Sequence, residues 1–235
     1  MSSYKASMHS ITRESLREGL LREHFKSSDP SVKILTLAAH RRSVEATLRA
    51  RPDGEGDVWL FTYGSLMWNP MIRFVEKRLA RISGYHRRFC LWTRLYRGSP
   101  ADPGLVLGLV PGGICRGVAY RIAASEARAE LELIWQREMI NGGYHPTWLR
   151  TATAGGRGWA IGFVTDRRFE DYAGFLPEEQ VAAIVARARG YAGSCAAYLF
   201  DTVAHLDSLG IRDAALSRVR DHVRELIDKN EKNRV

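Results

Sequence analysis

From Val58 to Tyr63 the chain runs Val-Trp-Leu-Phe-Thr-Tyr and stops at Gly64-Ser65. An apolar, β-rich run closed by a turn signal predicts a buried strand. Residues 79–94 predict one or two further strands, with Ser83-Gly84 as a kink or turn. Gly98-Ser-Pro100 and Asp102-Pro-Gly104 are turn sequences. Beyond them, Leu105–Val110 and Cys115–Ile122 predict a hairpin around Pro111-Gly-Gly113. The period then changes. Apolar positions at helical spacing predict a helix over 125–140, capped by Ser125 and stopped by Asn141-Gly-Gly143. Residues 147–153 and 159–165 return to strand character around Gly155-Gly156. From Pro177 onward the spacing predicts helices near 177–189, 194–209 and 212–228, with Gly210 between the last two.

Residues 1–56 differ from the rest of the chain. Ile11, Leu16, Leu20 and Leu21 recur near helical spacing, and Leu35, Leu37, Val44 and Leu48 suggest a second short helix. Asp29-Pro30 and the stretch 51–56 are turn or linker signals. The segment reads as a partly helical extension, docked on the main body or loosely tethered. Removal of residues 1–50 is expected to cost little chemistry. The main domain is expected over 57–228, with a polar tail at 229–235. Strands come first, one helix is inserted, and helices close the chain. That order is not an alternating βαβ pattern. It predicts an α+β fold, with a mixed, barrel-like sheet, packed helices and the helical N-terminal extension.

Composition narrows the class. With 45% hydrophobic and 26% charged residues, the 235-residue chain is neither collagen-like nor largely disordered. Three scattered cysteines (Cys90, Cys115, Cys195), with no CxxC pair and no HExxH, argue against a disulfide framework or a metal site. Met1 to Ser10 contain no apolar core of a leader, and no apolar stretch approaches the roughly 18–20 residues that span a bilayer. A cytoplasmic protein with no membrane partner is expected. The net charge is +9, and residues 57–110 hold +5 of it, with eight basic residues against three acidic. This suits an anionic partner, whether nucleic acid, membrane or small acid. No RRM, KH or zinc-finger signature supports nucleic acid. With no GxGxxG or GxxxxGK[ST] loop, no nucleotide cradle is indicated.

Candidate chemistry lies in two places. Glu138 follows Ile134 by four residues and Leu131 by seven, so it shares their apolar helix face. Burial there would raise its pKa toward the range of a general acid or base. The alternative is a frayed last turn beside Asn141-Gly-Gly143, with Glu138 solvated or paired with an arginine. The second place is Tyr63-Gly-Ser-Leu66. A strand ending in a glycine turn exposes backbone N–H groups that can hold a carboxylate or an oxyanion, although such turns also occur without function. Ser65 and Ser99 stand in no GxSxG elbow. Cys115 and Cys195 read as buried structural thiols, and His145 as a loop residue.

The combination is more specific than its parts. Trp59-Leu-Phe-Thr-Tyr-Gly-Ser-Leu-Met-Trp-Asn-Pro70 resembles the substrate-binding opening of the ChaC-type γ-glutamylcyclotransferases. In family order follow Arg97-Gly-Ser-Pro100 with Pro103-Gly104, Arg116-Gly-Val-Ala-Tyr120, and Trp135-Gln-Arg-Glu-Met139 with Gly143-Tyr144. Gly190, Gly193, Tyr198-Leu-Phe200 and Leu209-Gly-Ile-Arg-Asp213 come later. The resemblance covers about residues 57–225. It implies the cyclotransferase fold and cleavage of glutathione to 5-oxoproline and cysteinylglycine, with no cofactor and no metal. It places the acid/base on Glu138 and γ-glutamyl binding on Phe61, Thr62, Tyr63, Gly64, Ser65 and Leu66, with Tyr144 and Tyr198 as further binding residues. Arg94 or Arg97 is the expected partner of the substrate's glycine carboxylate. Thr62, Tyr191 and Cys195 depart from frequent family residues. The Cys195 change bears on substrate preference more than on reaction type. A cyclotransferase for another γ-glutamyl amide or amine, or a non-catalytic binding module on this fold, are the alternatives.

Overall fold

In the computed structural model, which describes residues 11–29 and 32–233, the apolar run after Asp57 is strand β1 (Val58–Thr62). It joins β2 (Glu76–Thr93), β3 (Gly104–Ile122), β4 (Tyr144–Thr153) and β5 (Gly156–Thr165). These close into a barrel in the order β1-β3-β2-β4-β5. The sheet is mixed. β1 runs antiparallel to β3, from Val58 opposite Ile122 to Thr62 opposite Val118. β4 and β5 are antiparallel from Tyr144–Thr165 to Thr153–Gly156. β5 then lies parallel to β1 at Leu60–Ile161 and to β3 at Leu109–Val164, which closes the ring. Leu60, Ile82, Leu109, Ile122, Ile161 and Phe163 are all buried, so the strands share one apolar core.

One strand expectation changes, and another settles on one of its two readings. The residues around Pro111-Gly-Gly113 do not turn back: β3 is one continuous strand and the expected hairpin is absent. Gly112 and Gly113 take φ of 102° and 72°, which bends the strand without reversing it. Gly84, at φ 87°, lies on β2 two residues before His86, whose Nδ1 hydrogen-bonds the Gly112 carbonyl at 2.9 Å. Paired glycine bends of this kind let long strands curve around a small barrel. Thus β2 is likewise one strand with a kink.

The inserted helix is α4 (Ala127–Glu138), which among the described residues follows three N-terminal helices, α1 (Arg13–Arg17), α2 (Leu20–Ser28) and α3 (Leu37–Arg49). α4 starts one residue later than a Ser125 cap would give. Its N-cap is Glu126, which makes no side-chain cap bond. A backbone turn replaces the cap, with Glu126 N–H donating to the Ala123 carbonyl at 2.9 Å. Asp57 also accepts from the Ala124 amide at 3.0 Å.

The described part of the N-terminal segment, from Ile11, belongs to the same compact unit as β1, β4, β5 and most of β2 and β3. α1 opens on a capping box between Thr12 and Ser15, and Gly19 at φ 74° separates it from α2. Leu16, Leu21, Phe25 and Val44 are buried. The polar contacts are specific. Leu35 N–H donates to the Ile140 carbonyl at 2.9 Å, and His40 Nε2–H to the Met139 carbonyl at 2.9 Å. Trp135 Nε1–H donates to Ser43 Oγ at 3.0 Å, and Trp148 Nε1–H to the Thr47 carbonyl at 2.7 Å. These residues are docked, not tethered, so the low cost expected for removing residues 1–50 does not follow from the structure. Residues 1–10 and Pro30 of the Asp29-Pro30 turn lie outside the described residues.

A second unit holds residues 88–107 and 170–233. It contains the end of β2, the start of β3, α5 (Glu178–Arg187), the short pair β6 (Arg189–Gly190) and β7 (Gly193–Ser194), α6 (Cys195–Ser208) and α7 (Ala214–Lys232). The three helices fall close to their predicted spans, and α7 carries the chain four residues past 228. Ser194 caps α6 by accepting from the Ala197 amide, and Asp213 caps α7 by accepting from the Leu216 amide, each at 3.1 Å. Gly210, at φ 69°, turns the chain between them.

Candidate active site

The turn after β1 is held from several sides. Thr62 Oγ1 donates to the Val118 carbonyl at 3.0 Å, fixing the strand end. Tyr63 is buried and its hydroxyl donates to the Phe163 carbonyl at 2.8 Å. Its own carbonyl accepts from Arg87 Nη1 at 2.6 Å, while Arg87 Nη2 donates to the Arg116 carbonyl. Ser65–Met67 then form a 3₁₀ turn, and the Met67 carbonyl accepts from the Tyr120 hydroxyl at 2.6 Å. Burial pushes the Tyr120 phenol up to about 12, which keeps it a donor at neutral pH. The Arg116-Gly-Val-Ala-Tyr120 motif thereby acquires a reason. Arg116 supplies a carbonyl to Arg87, and Tyr120 grips the turn. A Cβ on Gly117 would lie 2.1 Å from the Thr62 carbonyl oxygen, so only glycine lets the two strands meet there.

The other half of the site is the C-terminal end of α4. Leu131, Ile134 and Trp135 are buried on its inner face, and Glu138 is its last residue. The Glu138 side chain keeps 17% of its surface exposed. Arg137, beside it, is more deeply buried, with 5% of its side chain exposed. Its guanidinium makes three contacts. Nε lies 3.0 Å from Glu138 Oε1, Nη2 donates to Ser65 Oγ at 2.5 Å, and Nη1 donates to the Asn69 carbonyl at 2.8 Å. Burial pushes the Glu138 carboxyl above its ordinary range, and the charge of Arg137 opposes that rise. Both sequence readings of Glu138 therefore hold a part: it pairs with an arginine, and it is largely withdrawn from water.

Aromatic packing supports the turn. Tyr144 meets Phe163 at a centroid distance of 6.3 Å, and Phe163 meets Trp135 edge-on at 5.1 Å. Phe61, Thr62 and Leu66 are buried, and Gly64 and Ser65 are half-buried. The structure thus joins Ser65 to Glu138 through Arg137, while Tyr63 is held separately by Phe163 and Arg87. Tyr144 lies against Phe163, on the Tyr63 side.

Arg94, Arg97 and Tyr198 belong to the second unit. Arg94 is exposed and pairs with Asp171 at 3.1 Å. Arg97 is buried, with its guanidinium 5.7 Å from the Tyr96 ring centroid and 5.6 Å from that of Tyr198. It donates from Nη1 to the Ser194 carbonyl at 3.3 Å, and its Nε has no hydrogen-bond partner among the described residues. Cys195 is fully buried and its thiol donates to the Leu105 carbonyl at 2.8 Å. Burial pushes that thiol up to about 11, which suits a structural cysteine. Cys115 is buried too, and His145 is an exposed partner of Asp166.

Sequence reasoning missed Arg87, Tyr120 and Arg137. For Arg137 a signal existed, because it follows Ile134 by three residues and so also belongs to the inner face. Its adjacency to Glu138 drew attention to the carboxylate alone. Arg87 carried no signal, since nothing local marks a strand arginine as bound to a distant carbonyl.

A largely desolvated carboxylate beside a clamped glycine turn is the equipment of an acid–base enzyme acting on a small ligand. Comparison with known proteins narrows this class. The family model described as ChaC-like protein matches residues 58–226. The glutathione-specific γ-glutamylcyclotransferase of Escherichia coli (strain K12) is 40% identical over 223 residues, which cover 94% of this chain and 95% of that protein. The glutathione-specific γ-glutamylcyclotransferase 1 of Rattus norvegicus is 31% identical over 76% of this chain and 85% of its own. Among solved structures, the glutathione-specific γ-glutamylcyclotransferase from yeast superposes with a TM-score of 0.68 at 21% identity, over 73% of this chain and 97% of that one, a likeness of fold. The chain belongs to the ChaC-like family.

Proposed function

We propose that this chain is a glutathione-specific γ-glutamylcyclotransferase that releases 5-oxoproline and cysteinylglycine, with Glu138 as general acid/base. The observation that carries the reading is the shared guanidinium. Arg137 joins the desolvated Glu138 carboxyl to Ser65 of the glycine turn. The E. coli relative, similar over almost the whole chain, supports glutathione as the substrate.

The chemistry asks little of the protein beyond position and proton transfer. The γ-glutamyl α-amine attacks its own γ-carbonyl carbon, forming the lactam C–N bond, and the bond to the cysteine nitrogen breaks. The nucleophile is tethered, so holding the folded-back conformer supplies much of the acceleration. Glu138 takes the proton that the α-ammonium must lose and returns one to the departing amine. Phe61, Thr62 and the Tyr63–Leu66 turn seat the γ-glutamyl group. Amides of the turn receive its carboxylate or the tetrahedral oxyanion. Tyr144 and Tyr198 complete the set of binding residues.

Of the two arginines, Arg97 is the better receptor for the glycine carboxylate. Arg94 already holds Asp171, whereas buried Arg97 has an unused Nε–H. Arg97→Ala is expected to raise KM for glutathione roughly 10-fold or more, the scale of a lost charge-assisted hydrogen bond. Arg94→Ala is expected to change it less. Unchanged KM in both variants would remove the assignment. No helix among the described residues is long and apolar enough to cross a membrane, and Cys90, Cys115 and Cys195 are buried and in no disulfide. A cytoplasmic site of action fits both facts.

The direct test is to incubate the purified protein with glutathione and measure 5-oxoproline and cysteinylglycine together. Equal formation of both supports the reading. Turnover of another γ-glutamyl amine in preference to glutathione would redirect the substrate assignment. No turnover of any such compound by folded protein would leave a binding module.

A further inference from the structure

We propose that Arg137 is a positioning residue for this reaction, one guanidinium holding the Glu138 carboxylate and the substrate turn in fixed register. The inference rests on the cyclotransferase reading and adds to it a residue that acts through Glu138 and the turn. Three nitrogens of a single planar group serve three partners: a carboxylate on α4, a hydroxyl on the turn, and a carbonyl at Asn69 beyond it. A guanidinium has the rigid fork for this, and an ammonium on a flexible stem does not. The group is nearly inaccessible to water. Movement of the turn relative to Glu138 must therefore break a desolvated, charge-assisted bond, which is costly.

The arrangement also sets the electrostatics at Glu138. Arg137 is the charge that acts on this carboxyl. From α3, His40 donates to the carbonyl of the next residue, Met139, and burial lowers its pKa, so it is neutral at neutral pH. From β2, Arg87 binds the Tyr63 carbonyl, and on β4 His145 is exposed and paired with Asp166. Loss of the Arg137 charge makes the carboxylate harder to form, and raises the pH needed to ionise Glu138.

The test measures kcat, KM and the pH profile for wild type, Arg137→Met, Arg137→Lys and Ser65→Ala, with Glu138→Gln in parallel. Arg137→Met is expected to lower kcat about 100-fold, the scale of a small misplacement. It is also expected to move the acid limb of kcat/KM to higher pH. Arg137→Lys should restore the limb, because the charge returns, but not kcat, because three partners cannot be held. Ser65→Ala, which cuts the grip on the turn and keeps the charge, should lower kcat several-fold, on the order of one lost hydrogen bond, with the limb in place. Should Arg137→Met not fold, the lysine and alanine variants carry the test. Wild-type kcat in Arg137→Lys or Ser65→Ala, or an unmoved limb in Arg137→Met, would overturn the proposal. If Glu138→Gln is inactive while these variants match wild type, only the positioning role fails. If Glu138→Gln is fully active, the acid/base reading fails first.

Discussion

Glu138→Gln is expected to lower kcat for glutathione by about 10²–10⁴-fold, the usual contribution of a positioned acid/base, while substrate affinity changes little. Glutamine keeps the shape of the side chain and can still accept from Arg137 Nε, so the 3.0 Å contact survives. It cannot take the ammonium proton. The variant should remain as stable as wild type or gain slightly, because the replaced carboxylate is charged in a site that resists charge. The pH profile gives a second check. The Glu138 carboxyl lies above its ordinary 4.5, so the active, ionised form is lost as pH falls through that raised value. Wild-type kcat/KM should decline on the acid side at a pH above that of a free carboxylate. The residual activity of the glutamine variant should lack this limb. Single-turnover formation of 5-oxoproline, set against glutathione binding by calorimetry, separates the outcomes. Near-normal turnover in Glu138→Gln would transfer the acid/base role to another group.

Glu138 also shows where sequence reasoning reaches and where it stops. Its position on an apolar stripe was legible because helix geometry fixes which residues share a face, and Leu131, Ile134 and Trp135 are indeed buried. The β1 strand and the glycine turn were legible for a similar reason, since a buried strand and its stop are local signals. The joint between turn and helix was not. It depends on Arg137 Nη2 reaching Ser65, 72 residues away in sequence. Arg87 at the Tyr63 carbonyl is another long-range contact with no local mark. The continuous course of β3 was hidden for a different reason. Pro111-Gly-Gly113 is a strong turn sequence. Only pairing on both sides of it, Leu109 with Val164 and Val118 with Thr62, converts the expected reversal into a bend. Tertiary pairing overrode local propensity there. Glu130 is the same lesson with a charge, because it lies among apolar helix residues and is fully buried. Its partner comes from outside the predicted main domain.

That partner makes Arg13→Ala the most damaging single change expected in the N-terminal segment. Arg13 Nη1 and Nη2 each reach a Glu130 oxygen at 2.5 Å, and the Arg73 amide donates to Glu130 Oε2 at 2.9 Å. Arg13 also donates to the carbonyl of Met71, a residue held at φ 54°. Removal of the arginine leaves a fully buried carboxylate with one backbone donor, at a cost of about 3–5 kcal/mol. In a protein of this size that lowers Tm by roughly 6–20 °C. Deletion of residues 1–50 removes this pair together with the His40 and Leu35 bonds to the end of α4, and should give little folded, active protein. The pH dependence separates lost charge pairing from lost packing. Burial alone would raise the Glu130 pKa, but the Arg13 bonds and the Arg73 amide bring it below 4.5 in the folded protein. Its contribution to wild-type stability is therefore present above the unfolded value and lost as pH falls through the lowered folded one. In Arg13→Ala burial acts with little opposition, the folded pKa rises, and stability falls as pH climbs from 4.5 toward that new value. The Tm deficit of the variant should be full at pH 7 and shrink as the pH drops below about 5. A deficit independent of pH would show that Arg13 acts through packing of its stem. No deficit at all would return the N-terminal helices to the status of a tethered extension.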